Sequence, residues 1–322
     1  MRPQLEAIAA YHGGVFKRGD AVDCGYSERE MKTLTRPGGG WVVVRRGVYA
    51  DRYLWESLDE DGRYVLGVRA VSLSLTHSAV PSHSSAAAVL KLPMRPRWRN
   101  LQHVTRPGVT GGRTESGVKH HLAGFDETDL TIVDGLHVMA LARTAIDIGR
   151  EFGYEDCVIA SDAALRRGTT HAKLQHAIAR MTSWPSITPA RAALAVADGG
   201  AETIGESLTR LLVLELDIGI PETQFEVRDG DRWAVADLRV GRHLFEFDGR
   251  VKYVGRERGG VADRPVEEIV WSEKLREDWV RGQDFGMSRV IWDDLFGVRR
   301  RATKQRLARE YFETLRRYAG AA

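Results

Sequence analysis

The sequence predicts an α+β protein of more than one domain. Three observations carry that expectation. At 322 residues the chain is longer than a single hydrophobic core usually organises. Short β-like runs bounded by turn residues, over 41–50 and 225–248, are set among stretches of helical period, above all over 140–197. Asp198, Gly199 and Gly200 then break the chain cleanly. The expected divisions are a small domain over 1–50, a mixed α/β connector over 51–198 and an α/β domain over 199–322.

Composition narrows the class. Hydrophobic residues make up 43% and charged residues 28%, as in soluble globular chains. A net charge of +3 permits nucleic-acid binding without arguing for it. Basic residues do gather near the start and the end. Cys24 and Cys157 are the only cysteines and have no partner pattern, which speaks against a disulfide framework or a thiolate zinc site and suits a reducing cytoplasm. The first residues lack the apolar centre of a signal peptide. No apolar run approaches the roughly 18 residues of a membrane span. The expectation is a cytoplasmic protein with no membrane partner.

In the first fifty residues, Leu5, Ile8 and Ala9 form one face of a short helix ended by Gly13-Gly14. A second helix fits Gly19 to Cys24. Ser27 to Glu30 reads SERE, a capping box, and opens a third helix through about Thr35. After three glycines, WVVV (Trp41–Val44), the turn Arg45-Arg46-Gly47 and VYA (Val48–Ala50) read as two joined strands. That order is a winged helix-turn-helix. Its third helix would enter the major groove and its wing would meet phosphate, which makes Arg29, Lys32, Arg45 and Arg46 the expected DNA contacts. The run GVFKRGDAVDCGYSEREMKTLTRPGGGWVVVRRGVYA resembles the N-terminal domain of AbiEi-type antitoxins of type IV toxin–antitoxin systems. The resemblance implies operator DNA and a cognate toxin as partners.

Residues 51–198 are less informative. Arg52 to Arg63 is charged and turn-like, and Val65 to Leu75 reads as helix. VPSHSS (Val80–Ser85) leads into a helix of small residues. His83 is read as a cap or a buried hydrogen-bonding histidine, because nothing nearby completes a triad and no Gly-x-Ser-x-Gly elbow is present. Leu101–Thr105, Val118–Leu122 and Leu136–Met139 read as strands. His120 and His121, being adjacent on a strand, face opposite ways and cannot chelate together. From Ala140 the period is helical, with Asp147 and Asp162 read as capping groups or partners of Arg143 and Arg166. A last helix, capped by Thr188 with Pro189 at its first position, runs to about Ala197. The segment resembles the connector between an AbiEi-like winged helix and a nuclease-like domain. It would position the ends or join two copies as a homodimer.

In residues 199–322, AETIGESLTRLLVL reads as a helix with Ile204, Leu208, Leu211 and Leu212 buried. Glu202, Glu206 and Arg210 fall on its other side, where a solvated face is the plain reading. Phe225–Val227 and Trp233–Val240 form a hairpin about Asp229-Gly230. His243–Asp248 is a third strand, Glu267–Arg281 a helix and Met287–Trp292 a strand. Val235, Asp237 and Arg239 alternate with Ala234, Ala236 and Leu238. Glu246 and Asp248 alternate with Phe245 and Phe247, so those two carboxylates share a face, with Asp237 a hairpin away. Like charges so close destabilise a fold unless something binds them, and a divalent cation is the usual ligand.

ESLTRLL, ADLRV, FEFDGRVKY and EKLREDWVRGQDFGMSRVIW resemble, in order, the motifs of the DUF559 and Vsr-like branch of PD-(D/E)xK nucleases. The resemblance covers about 100 residues and implies a restriction-endonuclease-like core. By it Asp237 and Glu246 are metal-binding acids, Glu206 is the acid of the first helix, and Asp248 with Gly249 is the "D-G" pair. Mg²⁺, or Mn²⁺, is the implied cofactor, since phosphodiester hydrolysis needs a cation on the phosphate oxygens and a deprotonated water in line. The family's lysine usually stands two residues after the second acid, where this chain has Asp248. Lys252 and Lys274 remain as sources, and nearness favours Lys252. The expected activity is metal-dependent endonuclease. The alternative is an AbiEi-like antitoxin and repressor whose nuclease-like domain does not cut, and an interaction protein comes third because it leaves the acids unexplained.

Overall fold

The computed structural model describes residues 1–75, 79–107, 112–249 and 266–319, with only the backbone described over 266–273. The chain is mixed α/β, with four separate sheets among the described residues. It divides into two compact units, Met1–Val196 and Ala197–Ala322. None of the described helices is long and apolar enough to cross a membrane.

Unit 1 opens with α1 (Pro3–Tyr11), β1 (Val15–Lys17), α2 (Arg18–Asp23), α3 (Glu28–Leu34), β2 (Trp41–Arg45) and β3 (Val48–Asp51). The three strands pair antiparallel in the order β1-β3-β2. The capping box forms as the sequence predicts: Ser27 Oγ accepts from Glu30 N and Glu30 Oε2 accepts from Ser27 N at 2.8 Å. Trp41 closes the small core, edge-on to Phe16 and Tyr26 at 4.9 Å, over Leu5, Ala21 and Met31. β1 escapes the sequence reading because three residues carry no measurable period. Gly14, at φ +102°, sits so close to Leu54 that a Cβ would lie 2.7 Å from its side chain.

The chain continues as α4 (Arg52–Ser57) and α5 (Glu60–Ser74). The turn expected over 52–63 is therefore helical. Asp51 and Asp59 are the reason, since their carboxylates accept from Leu54 N at 3.2 Å and Gly62 N at 2.8 Å and so start each helix. Leu66 and Ala70 of α5 share a core with Val15, Val48 and Ala50, so the first fifty residues are packed onto this helix. Next come β4 (Val80–Pro81), α6 (His83–Val89), β5 (Gln102–Arg106), β6 (Arg113–Glu115) and β7 (Val118–Leu122). They form a sheet ordered β4-β5-β7-β6 in which β5 and β7 run parallel. A hairpin of β8 (Leu130–Val133) and β9 (Leu136–Met139) follows.

Four helices complete the unit: α7 (Leu141–Phe152), α8 (Tyr154–Arg166), α9 (His171–Ala179) and α10 (Ile187–Ala195). Gly149 lets α7 and α8 close up, since a Cβ there would lie 2.4 Å from Cys157 Sγ. α10 begins earlier than predicted. Ser186, at φ +58°, is its N-cap, and Pro189 is the third helical residue, where the missing N–H has no intrahelical acceptor anyway.

Unit 2 comprises α11 (Ile204–Leu214), β10 (Glu222–Asp229), β11 (Arg232–Val240), β12 (His243–Asp248), α12 (Val266–Arg281), β13 (Gly286–Ile291) and α13 (Gly297–Arg317). The sheet order is β10-β11-β12-β13; the first three strands are antiparallel and β12–β13 is parallel, with α12 as the crossover. β12 is buried over His243–Glu246, as a strand covered on both faces must be. On one face Phe247 meets Gly205 of α11 and His243 meets Thr314 of α13. On the other, Leu244 and Met287 pack against Val280 of α12.

Candidate functional site

The carboxylates of unit 2 gather where β11 and β12 part. The ladder between these strands runs from Val240↔His243 to Leu238↔Phe245 and is not continued to the next pair, Asp237 and Glu246. Asp237 replaces it with its side chain: Oδ2 accepts from Phe247 N at 2.7 Å. On its other side β10 is irregular too, with Gln224 at φ +52° between Thr223↔Leu238 and Phe225↔Ala236. Glu246 is buried, and its Oε1 accepts from Arg276 of α12 at 2.7 Å. Burial pushes the Glu246 pKa up; Arg276 pulls it back, and the charge of Asp237 pushes it up again. A buried acid beside a second acid, with Arg276 bonded to it and Arg289 its neighbour on β13, is the feature of this face that could take a cation.

Glu206 is not on a solvated face. It and Arg210 are buried. The Glu206 carboxylate accepts from Glu202 N at 2.7 Å and from Thr203 Oγ1 at 3.0 Å, closing the N-terminus of α11. Its further contact, 3.5 Å to Gln224 Nε2, brings it to the irregular stretch of β10 opposite Asp237. Asp248 is half-buried at the end of β12, in register with Ile291. Lys274 is exposed on α12, two residues from Arg276. Lys252 lies outside the described residues.

The four basic side chains expected at DNA separate. Arg29 and Lys32 are exposed on α3, and Arg46 is exposed in the turn between β2 and β3. Arg45 is half-buried and donates to the Ser116 carbonyl at 3.0 Å, in a depression lined by Arg46, Gly67 and Gln102.

A second cluster was not foreseen. Among the described residues, one group of three metal-ligating side chains gathers its ligand atoms within 4.8 Å: His83, His103 and His121 of unit 1. His103 Nδ1 lies 2.9 Å from His121 Nε2, and the rings of His83 and His121 stack at 3.7 Å. Burial drives all three pKa values down, His103 and His121 to about 3, so the rings are neutral. The sequence held one signal, His103 and His121 in two strands, but which residues share a face depends on the parallel pairing of β5 with β7 across 18 residues.

Comparison with known proteins places the chain beside two relatives from Mycobacterium tuberculosis. The uncharacterized proteins Rv2248 (strain H37Rv) and MT2308 (strain CDC 1551) are each 30% identical over 251 residues, covering 76% of this chain and 88% of theirs. The chain belongs to the Rv2248 family. A match of 251 residues is longer than Met1–Val196, so the Rv2248 likeness reaches into both units. No family profile matches the chain. The RV2827C protein from Mycobacterium tuberculosis, a solved structure, matches 59% of this chain and 79% of its own at 17% identity. Its TM-score of 0.35 is too loose to fix fold or function for an Rv2248 family member.

Proposed function

We propose that this protein binds DNA through residues 1–50, as a winged helix-turn-helix, and acts on phosphodiesters through a PD-(D/E)xK-type endonuclease domain in unit 2. The observation that carries the reading is the corner at Asp237 and Glu246, two acids on neighbouring strands within the order helix, three antiparallel strands, helix, parallel strand. Support at the other end comes from the order β1-β3-β2 around a capped third helix that exposes Arg29 and Lys32.

The donor set fits Mg²⁺ or Mn²⁺, which take hard oxygens from one or two carboxylates and keep waters of their own. Asp237 and Glu246 would hold the ion, and the ion would supply a lowered pKa for a bound water and charge for the phosphate. Asp237 is oriented by the Phe247 N–H, and Arg276 favours the ionised form of Glu246 against its burial. Lys274 or Lys252 would assist the water.

One observation favours a second reading. Arg276 already answers Glu246, and Asp248 stands where the family's lysine is expected. A domain that has traded cutting for binding, as in an AbiEi-like antitoxin and repressor facing a cognate toxin, would look the same. The test is incubation of plasmid and linear DNA with the protein and Mg²⁺ or Mn²⁺, beside Asp237→Ala. Metal-dependent nicking lost in the variant supports the nuclease; absence of cutting on single-stranded, duplex and branched DNA sinks it and leaves the repressor, tested by gel shift on DNA upstream of its own gene.

A further inference from the structure

The geometry points to a transition-metal site at His83, His103 and His121, of the class that takes Zn²⁺ or Co²⁺, in unit 1 and separate from the carboxylate pair. Three imidazoles reach it from three elements. His83 is the first residue of α6, His103 lies on β5 and His121 on β7. Each offers a ring nitrogen within 4.8 Å of the others.

His83 holds φ at +50°, a left-handed conformation uncommon for non-glycine residues. It is fixed there by a lattice of bonds: Ser82 N donates to the His103 carbonyl at 3.0 Å, and His103 N to Ser85 Oγ at 2.7 Å. Ser82 Oγ contacts His83 Nδ1 at 2.9 Å, which leaves His83 Nε2 as the ligand atom, the outer-shell arrangement that metal-binding histidines use.

His103 Nδ1 and His121 Nε2 stand 2.9 Å apart. Two nitrogens on one tetrahedral ion at the usual zinc–nitrogen length would be about 3.3 Å apart. A chelate needs that contact opened by a few tenths of an ångström and both rings turned until their lone pairs converge on the ion, and His83 joins by turning out of its stack with His121. An independent observation marks the same place. Thr105, two residues after His103 and the β5 partner of His121, is on the same face of the sheet; its fully buried Oγ1 has no hydrogen-bond partner among the described residues. A ligand or water at the cluster would supply one.

The cations near the cluster have carboxylate partners, Asp147 being shared by two of them, and they still oppose positive charge at the histidines. Lys119 is paired with Glu151, and Arg143 and Arg150 with Asp147. No carboxylate is among the three ligands, so the fourth position is left to a water or a small anion, as in three-histidine sites with an open coordination position. Softness sets the metal: imidazole suits zinc, cobalt, nickel and copper and leaves Mg²⁺ to the carboxylates of unit 2.

The test uses the full chain, stripped with chelator and titrated with Co²⁺ and then Zn²⁺ in excess Mg²⁺. The expected result is one equivalent of Co²⁺ per chain, with the visible bands of a tetrahedral nitrogen site, displaced by Zn²⁺. His103→Gln and His121→Gln abolish the bands, while Ser82→Ala weakens binding about 10- to 100-fold by freeing the His83 ring. His171→Ala with His176→Ala, on the exposed part of α9, and Asp237→Ala leave it intact. Should a histidine variant fail to fold, the wild type decides alone: a melting temperature raised further by Zn²⁺ added over saturating Mg²⁺ supports the site. No bound equivalent, or binding unchanged in folded His121→Gln, overturns it.

Discussion

Glu246 Oε1 lies 2.7 Å from Arg276 Nη2, and these groups meet at the point where β11 and β12 stop pairing. The pair joins a buried acid to a half-exposed base, so it opposes the upward push of burial on the Glu246 pKa rather than adding much net stability. Replacement of the base should expose this. In Arg276→Met the carboxylate loses a charged donor, at about 1–3 kcal/mol. The sign with pH is definite. Burial already holds the Glu246 pKa above the ordinary value, and loss of Arg276 raises it further. The folded form then keeps a proton that the unfolded form gives up above about pH 4.5, so stability falls as pH rises through the folded pKa. Thermal unfolding of wild type and variant should differ little at pH 4 and more at pH 8; an equal deficit at both pH values removes this account.

His243 has the opposite linkage. Its ring spans Thr314 Oγ1 at 2.7 Å and Ser288 Oγ at 2.8 Å, and burial brings its pKa down from 6.5 to about 4. Below pH 6.5 the unfolded chain takes a proton that the folded chain refuses. Stability is therefore full above pH 6.5 and is lost as pH falls towards 4. A shift of that size corresponds to about 3 kcal/mol. Protection factors of the β12 and β13 amides, that is, exchange corrected for its intrinsic rate at each pH, should fall over that window, and His243→Gln should flatten the dependence. A slope unchanged in the variant assigns the acid sensitivity elsewhere.

Arg143 and Asp147 make a buried ion pair within α7, at 2.9 Å. Asp129 lies 3.4 Å from the same guanidinium, and Arg150 takes the second Asp147 oxygen at 3.2 Å. Arg143→Met alone takes one of two cations from each of two buried carboxylates, Asp147 keeping Arg150 and Asp129 keeping Arg180, and about 1–3 kcal/mol should be lost. Arg143→Met with Asp147→Leu removes both charges and should recover part of it, because the desolvation cost disappears with them. Denaturant midpoints of the two variants make the comparison; a double variant no better than the single one means that the network serves some end other than charge balance.

The elements that the sequence predicted well are those with local causes. The Ser27 capping box, the hairpin at Asp229-Gly230 and the apolar stripe of α11 each depend on residues a turn apart, and each forms. Arg52–Arg63 reads as a turn from its charges, whereas its two aspartate caps make it helical. Strand alternation, being short-ranged, puts Glu246 and Asp248 on one face, while the pairing of Asp237 with Glu246 came from the family resemblance. What alternation could not give is the parting of β11 from β12 and the α12 arginine, 30 residues on, that answers Glu246. The histidine cluster lay further out of reach, since a helix start and two parallel strands bring it together. Neighbouring residues in the sequence say little about such a site.

Gly205 ties the packing of α11 to the carboxylate corner. A Cβ at this position would lie 2.1 Å from the Phe247 ring, and the Phe247 N–H is the group that holds Asp237. Gly205→Ala sets two effects against each other. Alanine favours the helix by about 1 kcal/mol. Overpacking against a ring held by its own strand costs about 1–3 kcal/mol. The clash should win, because Phe247 also packs edge-on against Trp292 at 5.9 Å and so has little room to turn. The variant should unfold at lower denaturant than wild type. In the metal-dependent DNA assay it should also lose any activity more steeply than its stability loss explains, since moving Phe247 moves the Asp237 carboxylate. A variant as stable as wild type would mean that the ring yields freely and that the corner is not held through α11.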